Sequence, residues 1–309
     1  MWLQIITYLC ILLFFIVLIL KARRYARYPL HLRWELYPVA HEEHRTYGGS
    51  YMQEPEWWAR SRKKSLIGEI MFMIQEIFLF RGCFMRSRGL WFVSYPLHMG
   101  VYLLAMWFFL LICGAVLNLT GVPVTVESTS VIGRITYWVT VVIGVLSFVL
   151  GTFGSIGLVV QRLTKESLRV YSSIADYFNL ICLAAVFGSG LCAWYLNDRG
   201  FGDMRGYVGN LITFNKLTDM GPATTIHITL TALFIAYLPF TPMIHFVAKY
   251  FTFHNVRWDD EPNTRGSRLE RQLENLFKQP ITWSAPHIES KKWSQLVPRR
   301  EGSSGSEAK

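Results

Sequence analysis

The sequence predicts an all-α membrane protein, five transmembrane helices in one bundle, with the N-terminus outside and the C-terminus in the cytoplasm. Three observations predict it. Five runs free of charged side chains each hold the roughly 20 residues a helix needs to cross about 30 Å of hydrocarbon. Hydrophobic residues make up 52% of the chain and charged residues only 17%, too apolar a balance for a solvated surface. The basic residues fall in alternate connections, as they do when those connections share the cytoplasmic side.

The runs are taken in chain order. Residues 1–20, MWLQIITYLCILLFFIVLIL, carry no charge. They lack the basic start and the small-residue cleavage site of a signal peptide, so they read as a retained first helix. A long cytoplasmic connection, residues 21–88, follows. Its Pro and Gly residues in HLRWELYPVAHEEHR and YGGSYMQEPEWWARSRKK break any continuous helix. Within it, SLIGEIMFMIQEIFLF reads as an amphipathic helix near 65–80, lying on the membrane surface or under a partner. Internal charges make it a poor sixth span.

The second span occupies Gly89–Leu111, the third Ile135–Val160, the fourth Ile174–Leu196 and the fifth Thr224–Tyr250. Each is helical because an unpaired backbone group is too costly in lipid. Gly144, Gly151, Gly154 and Gly157 in the third span permit close approach, of a neighbouring helix first and of a flat ligand second. Pro239 and Pro242 bend the fifth helix. The chain thus divides into a bundle domain, 1–250, and a cytoplasmic tail, 251–309. In the tail RLERQLENLFK forms a short amphipathic helix and EGSSGSEAK is disordered.

A formal charge of +10 raises the question of nucleic acid. Its distribution answers it. Thirteen Lys or Arg stand between Lys21 and Arg88, three more (Arg162, Lys165, Arg169) in the third connection, and ten from Phe251 onward. Gly114–Gly133 holds none. The charge is a topology signal for a multi-pass protein of the cell inner membrane. The five cysteines (Cys10, Cys83, Cys113, Cys182, Cys192) show no CxxC spacing and read as small hydrophobes.

His31, His41, His44, His254 and His287 fall in polar segments, where a solvated imidazole is the default. His98, His227 and His245 fall inside spans, where a histidine needs a partner and marks a functional site. At 1.5 Å per residue His98 stands about 13 Å from the cytoplasmic start of the second span and His245 about 8 Å from the cytoplasmic end of the fifth. The two share a level near the inner half. Zinc would take three or four such ligands; a haem takes two, on opposite faces of the ring. His98 and His245 are therefore read as axial ligands of a haem b. On a straight helix His227, 18 residues before His245, shares its face about 27 Å away. It has no histidine opposite it. A second haem with Met106, Cys113 or another residue as partner, a quinone contact, and a purely structural pairing all stay open for it.

This pattern resembles the membrane cytochrome b family that includes the nitrate reductase gamma subunit. LHMG places His98 on the first histidine of that family's second helix, and His227 and His245 match the fifth-helix pair. Phe108 stands where the second histidine of the second helix is expected. HLRWELYP, with the Gly-Gly and Trp-Trp of YGGSYMQEPEWW, is similar to the branch serving the Dsr, Tmc and Hmc redox complexes of sulfate-reducing and sulfur-oxidising prokaryotes. The resemblance implies one haem b on His98 and His245, and His227 as ligand of a second, outer haem whose usual partner is missing. It also implies electron exchange between a quinone or menaquinone pool and a cytoplasmic iron–sulfur subunit similar to heterodisulfide reductase, within a larger membrane complex. A haem-free anchor and a small proton-coupled transporter are the competing classes. Against the transporter, the spans show no inverted repeat and no mid-depth acidic partner.

Overall fold

The computed structural model describes residues 2–27, 66–216, 219–253, 265–283 and 292–296. The HLRWELYP and YGGSYMQEPEWW stretches, the five histidines in polar segments and EGSSGSEAK lie outside these. Among the described residues five helices are long and apolar enough to cross a membrane: α1 (Trp2–Ala26), α4 (Arg88–Leu119), α5 (Val131–Thr164), α7 (Ile174–Leu196) and the stretch Pro222–Phe240, which begins with α9 (Pro222–Tyr237). The second span is two turns longer than the sequence indicates, because nothing polar stops the helix before Thr120. The amphipathic helix is α2 (Leu66–Phe78), followed by a short α3 (Arg81–Arg86). A four-residue turn, α6 (Glu166–Arg169), follows α5.

The chain forms two compact units. The first holds Met1–Leu18 and Lys64–Ile244; the second holds Ile19–Lys63 and His245–Lys309. In the first, α4 packs along α5, α5 along α7 and α7 along α9. Apolar side chains on the outward faces, among them Phe92, Phe109, Val142 and Ile181, are exposed, as a lipid-facing surface requires. With lipid as apolar as the helices, small residues and tight packing hold the bundle together. Gly100 of α4 meets Gly151 of α5 backbone to backbone, and Ser147 donates its hydroxyl to the Gly100 carbonyl at 2.8 Å. Phe148 of α5 seats against Gly190 of α7, and Phe187 of α7 seats against Gly151. Both rings are fully buried. The third-span glycines are thus sockets for neighbouring helices.

Between α7 and α9 the chain forms a twelve-residue helix, α8 (Gly202–Thr213), that closes one end of the bundle. Asp198 starts it by accepting the Gly202 and Met204 amides at 2.6 and 3.1 Å. A carboxylate there satisfies free amides and faces the positive end of the helix dipole. Arg205 is buried and spans the lid, donating to the Val124 and Gly200 carbonyls at 3.0 and 3.1 Å. The first turns of α1 are pinned to α8. Tyr207 donates to the Leu3 carbonyl and so accepts from Thr7 at 2.7 Å, and Tyr8 donates to the Leu211 carbonyl at 2.6 Å.

The fifth span departs from expectation. Its α-helix ends at Tyr237, and two 3₁₀ turns, Leu238–Phe240 and Pro242–Ile244, lead to a separate helix, α10 (His245–Phe253). Pro239 and Pro242 lack the amide hydrogens that would continue the ladder. The straight-helix phase between His227 and His245 therefore does not hold. In the second unit Tyr25 and Phe251 bring their rings to 6.5 Å. Its tail forms α11 (Arg268–Phe277), capped by Ser267, and a short α12 (Trp293–Leu296).

Candidate functional site

His98 and His227 lie in the first unit; His245 opens the second. The structure gives each of the first two a defined tautomer. In α4 the His98 Nδ1 lies 2.7 Å from the carbonyl of Ser94, one turn earlier, with the Ser94 hydroxyl at 3.5 Å. A carbonyl only accepts, so Nδ1 carries the hydrogen and Nε2 carries the lone pair. That is the form a metal or a hydroxyl donor needs, and a fixed Nδ1–H is the usual device for orienting a ligating imidazole. Phe80 covers the ring, with centroids 4.5 Å apart. It sits at the start of α3 in the left-handed region, at φ 52°, a costly conformation for a bulky residue that aims its side chain at His98.

His227 reaches the same tautomer by a different route. It is 2% exposed, and its Nδ1 lies 3.0 Å from the Ser189 hydroxyl on α7. Ser189 spends its one hydrogen on the Val186 carbonyl at 2.9 Å. Ser189 Oγ therefore accepts from His227 Nδ1, which leaves the lone pair on Nε2. That nitrogen has no hydrogen-bond partner among the described residues. Phe148 stands edge-on to the ring at 5.3 Å and Trp107 lies at 6.4 Å. Phe201, also left-handed at φ 52°, is fully buried against both of these aromatics.

His227 lines a cavity of about 430 Å³ enclosed by α1, α4, α8 and α9, whose wall also includes Phe108, Met204, Tyr207 and Thr231. No Lys, Arg, Asp or Glu stands in it. Of the two outer partners considered from sequence, Met106 is half exposed on the opposite side of α4, and neither it nor Cys113 lines the cavity. Met204 does, and it is buried at 3%. Among the described residues no group of three or more His, Cys, Asp or Glu gathers as a metal site.

A family profile for the nitrate reductase gamma subunit matches residues 82–258, more than half of the chain, a range that includes His98, His227 and His245. The chain belongs to the nitrate reductase gamma subunit family. That family comprises membrane cytochrome b electron-transfer subunits that bind haem b and work within larger membrane redox complexes. With five candidate spans, this gamma-family chain is a multi-pass membrane protein. No curated protein and no solved structure matches it.

The fit of haem b can be tested on these residues. At His98 an imidazole oriented by the Ser94 carbonyl and covered by Phe80 suits an axial ligand. At His227 the Nε2 lone pair is present, but Phe108 lines the wall where the family's second histidine would be, and no cation is there to meet a haem's carboxylates. Sequence reasoning missed Ser94, Ser189 and Met204. Ser94 carries a signal, its place one turn before His98; Ser189 and Met204 carry none, because only packing brings them to the site.

Proposed function

We propose that this gamma-family chain relays electrons between the membrane quinone or menaquinone pool and a cytoplasmic iron–sulfur subunit similar to heterodisulfide reductase, as one subunit of a respiratory redox complex. One haem b, held by His98 and His245 toward the cytoplasmic side, serves the relay. The observation that supports this reading is the Nδ1–H of His98 held by the Ser94 carbonyl, the way an iron-binding imidazole is oriented. The two imidazoles would hold the haem, and the haem would supply single-electron exchange. The chain's own residues do the rest: Ser94 fixes the imidazole plane, Phe80 excludes water from it, and the α4–α5 contact holds its depth. The basic connections put the N-terminus outside and supply a docking surface on the cytoplasmic face. No general base or nucleophile is assigned.

The test is haem quantitation with reduced-minus-oxidised spectroscopy on the full chain, wild type against His98→Ala. Low-spin b-type bands in the wild type and their loss in the variant are expected. Bands retained at full strength in His98→Ala would overturn the ligand assignment. A wild-type chain without bands would leave a haem-free anchor, and impaired uptake in a haem-replete His98→Ala protein would favour a transporter.

A further inference from the structure

We propose that the cavity at His227 is a binding pocket for the dihydroxy ring of a quinol, in the place where the family's second haem would be expected. This rests on the quinone-linked reading above and names its site. Three features of the cavity carry it. The first is its chemistry: a wall of apolar and aromatic side chains with no charged group among them. A neutral ring enters such a space without a buried charge to compensate, whereas a haem brings two carboxylates that need cations or water. The second is its unpartnered polar atoms: Trp107 Nε1 and Thr231 Oγ1 in the wall have no partner among the described residues, and His227 Nε2 joins them as an acceptor. His227 Nε2 bears a lone pair, because Ser189 Oγ has already taken the Nδ1 hydrogen, and it has no partner among the described residues. A hydroxyl donor on the ring supplies what that nitrogen lacks. The third is what faces it. Phe108 lines the wall in place of a second nitrogen ligand, and a phenyl ring packs on a flat aromatic headgroup but binds no iron. The volume, about 430 Å³, lies within the range of small-molecule sites.

The Tyr8 and Tyr207 hydroxyls in the wall are committed to the Leu211 and Leu3 carbonyls, which leaves the sulfur of Met204 as the side chain that could join His227 on iron, so a His–Met haem is the competing occupant and the experiment separates the two. The full chain is purified in detergent. Its haem is counted, and binding of a hydroxyquinoline N-oxide, a fluorescent quinol analogue, is measured for wild type, His227→Phe, Ala232→Leu and Met204→Leu. Ala232 lines the cavity and is buried, so Ala232→Leu fills the space without touching the imidazole. One haem per chain is expected in all four proteins. Analogue binding is expected to weaken about tenfold in His227→Phe, the loss of one hydrogen bond, and to weaken also in Ala232→Leu. A second haem in the wild type that disappears in His227→Phe or Met204→Leu overturns the proposal. So does an affinity unchanged in both His227→Phe and Ala232→Leu. If the wild type carries no haem yet the two variants lose analogue binding, the pocket stands and the relay reading falls.

Discussion

Replacing Gly100 with alanine tests whether α4 and α5 touch backbone to backbone at the level of His98. An alanine Cβ built at Gly100 would lie 2.6 Å from the Gly151 amide nitrogen, 2.7 Å from its Cα and 3.0 Å from the Ser147 carbonyl oxygen. All three are main-chain atoms, so no rotamer change relieves the clash. Ordinary contact starts at 3.4 Å, so the helices must separate by roughly 0.8 Å along this line. Overpacking of this kind costs about 1–3 kcal/mol. The separation also weakens the Ser147 hydrogen bond to Gly100, and such bonds inside membrane bundles average about 0.6 kcal/mol. The expected total is about 2 kcal/mol, or roughly 30-fold in the unfolding constant. The assay is reversible unfolding in mixed micelles with rising SDS, followed by far-UV circular dichroism. Gly157→Ala is the comparison, because there the new methyl meets mainly the tip of Val93, whose Cγ1 lies 2.7 Å away and can move. It is expected to cost under about 1 kcal/mol. Haem content should fall in Gly100→Ala, since His98 lies two residues away on the displaced helix. A Gly100→Ala protein as stable as Gly157→Ala would refute the close contact and the depth it sets for His98.

Ser189→Ala removes the acceptor of the buried His227 Nδ1–H; about 1 kcal/mol of stability should be lost in the same SDS titration, with weaker binding of the quinol analogue. Asp198, outside the spans, has its carboxyl pKa raised above the ordinary value of 3.8, with burial the largest cause. Its folded value exceeds its unfolded one, so its contribution to stability is fullest below 3.8 and fades as pH rises through the folded value. Wild type should lose stability relative to Asp198→Asn over that window, as SDS titrations at stepped pH would read. Phe214, at the end of α8, has φ 58° and an 81% exposed side chain, with only a ring contact to Tyr8 at 5.7 Å. Phe214→Gly should relieve a left-handed strain of about 1 kcal/mol, partly offset by the lost ring contact, and raise the unfolding midpoint.

The spans were legible because lipid imposes one rule on every residue of a long run: no charge, and a helix to pair its backbone. MWLQIITYLCILLFFIVLIL and its four counterparts meet that rule without reference to any neighbour. The lid was not legible. GDMRGYVGNLIT contains three glycines, poor helix formers, with an aspartate and an arginine among them. It becomes α8 because Asp198 accepts its first amides and Tyr207 is fastened to the first turns of α1, contacts that cross up to about two hundred residues of sequence. The prolines announced a bend in the fifth span, but only the structure shows that the α-helix stops and 3₁₀ turns intervene. The same limit applies to the site. His98 and His227 declare themselves by standing in apolar runs, whereas Met204 stands in α8, between the spans, and lines the cavity that Met106, facing outward on α4, does not reach.

The two imidazoles of the first unit reach one tautomer by routes with different consequences. His98 is set by its own helix, through a carbonyl four residues back, so its state survives any movement that keeps α4 intact. His227 is set across a helix interface, through Ser189 and onward to the Val186 carbonyl, so its state depends on α7 and α9 staying in register. A fixed redox ligand needs the first arrangement, because iron tolerates little change in the atom it holds. A group that meets a visiting molecule can use the second. Were Nε2 to gain a proton and Nδ1 to lose its own to solvent, Ser189 could turn its hydrogen from the Val186 carbonyl to Nδ1, and Nε2 would be the donor. The imidazole would then offer a hydrogen to a quinone carbonyl where it had accepted one from a quinol hydroxyl. Ser189→Ala removes that relay while keeping the imidazole. It should therefore narrow the difference in affinity between the oxidised and reduced forms of one short-chain naphthoquinone, measured on the same protein. An unchanged ratio, with both affinities lowered equally, would reduce Ser189 to a spacer.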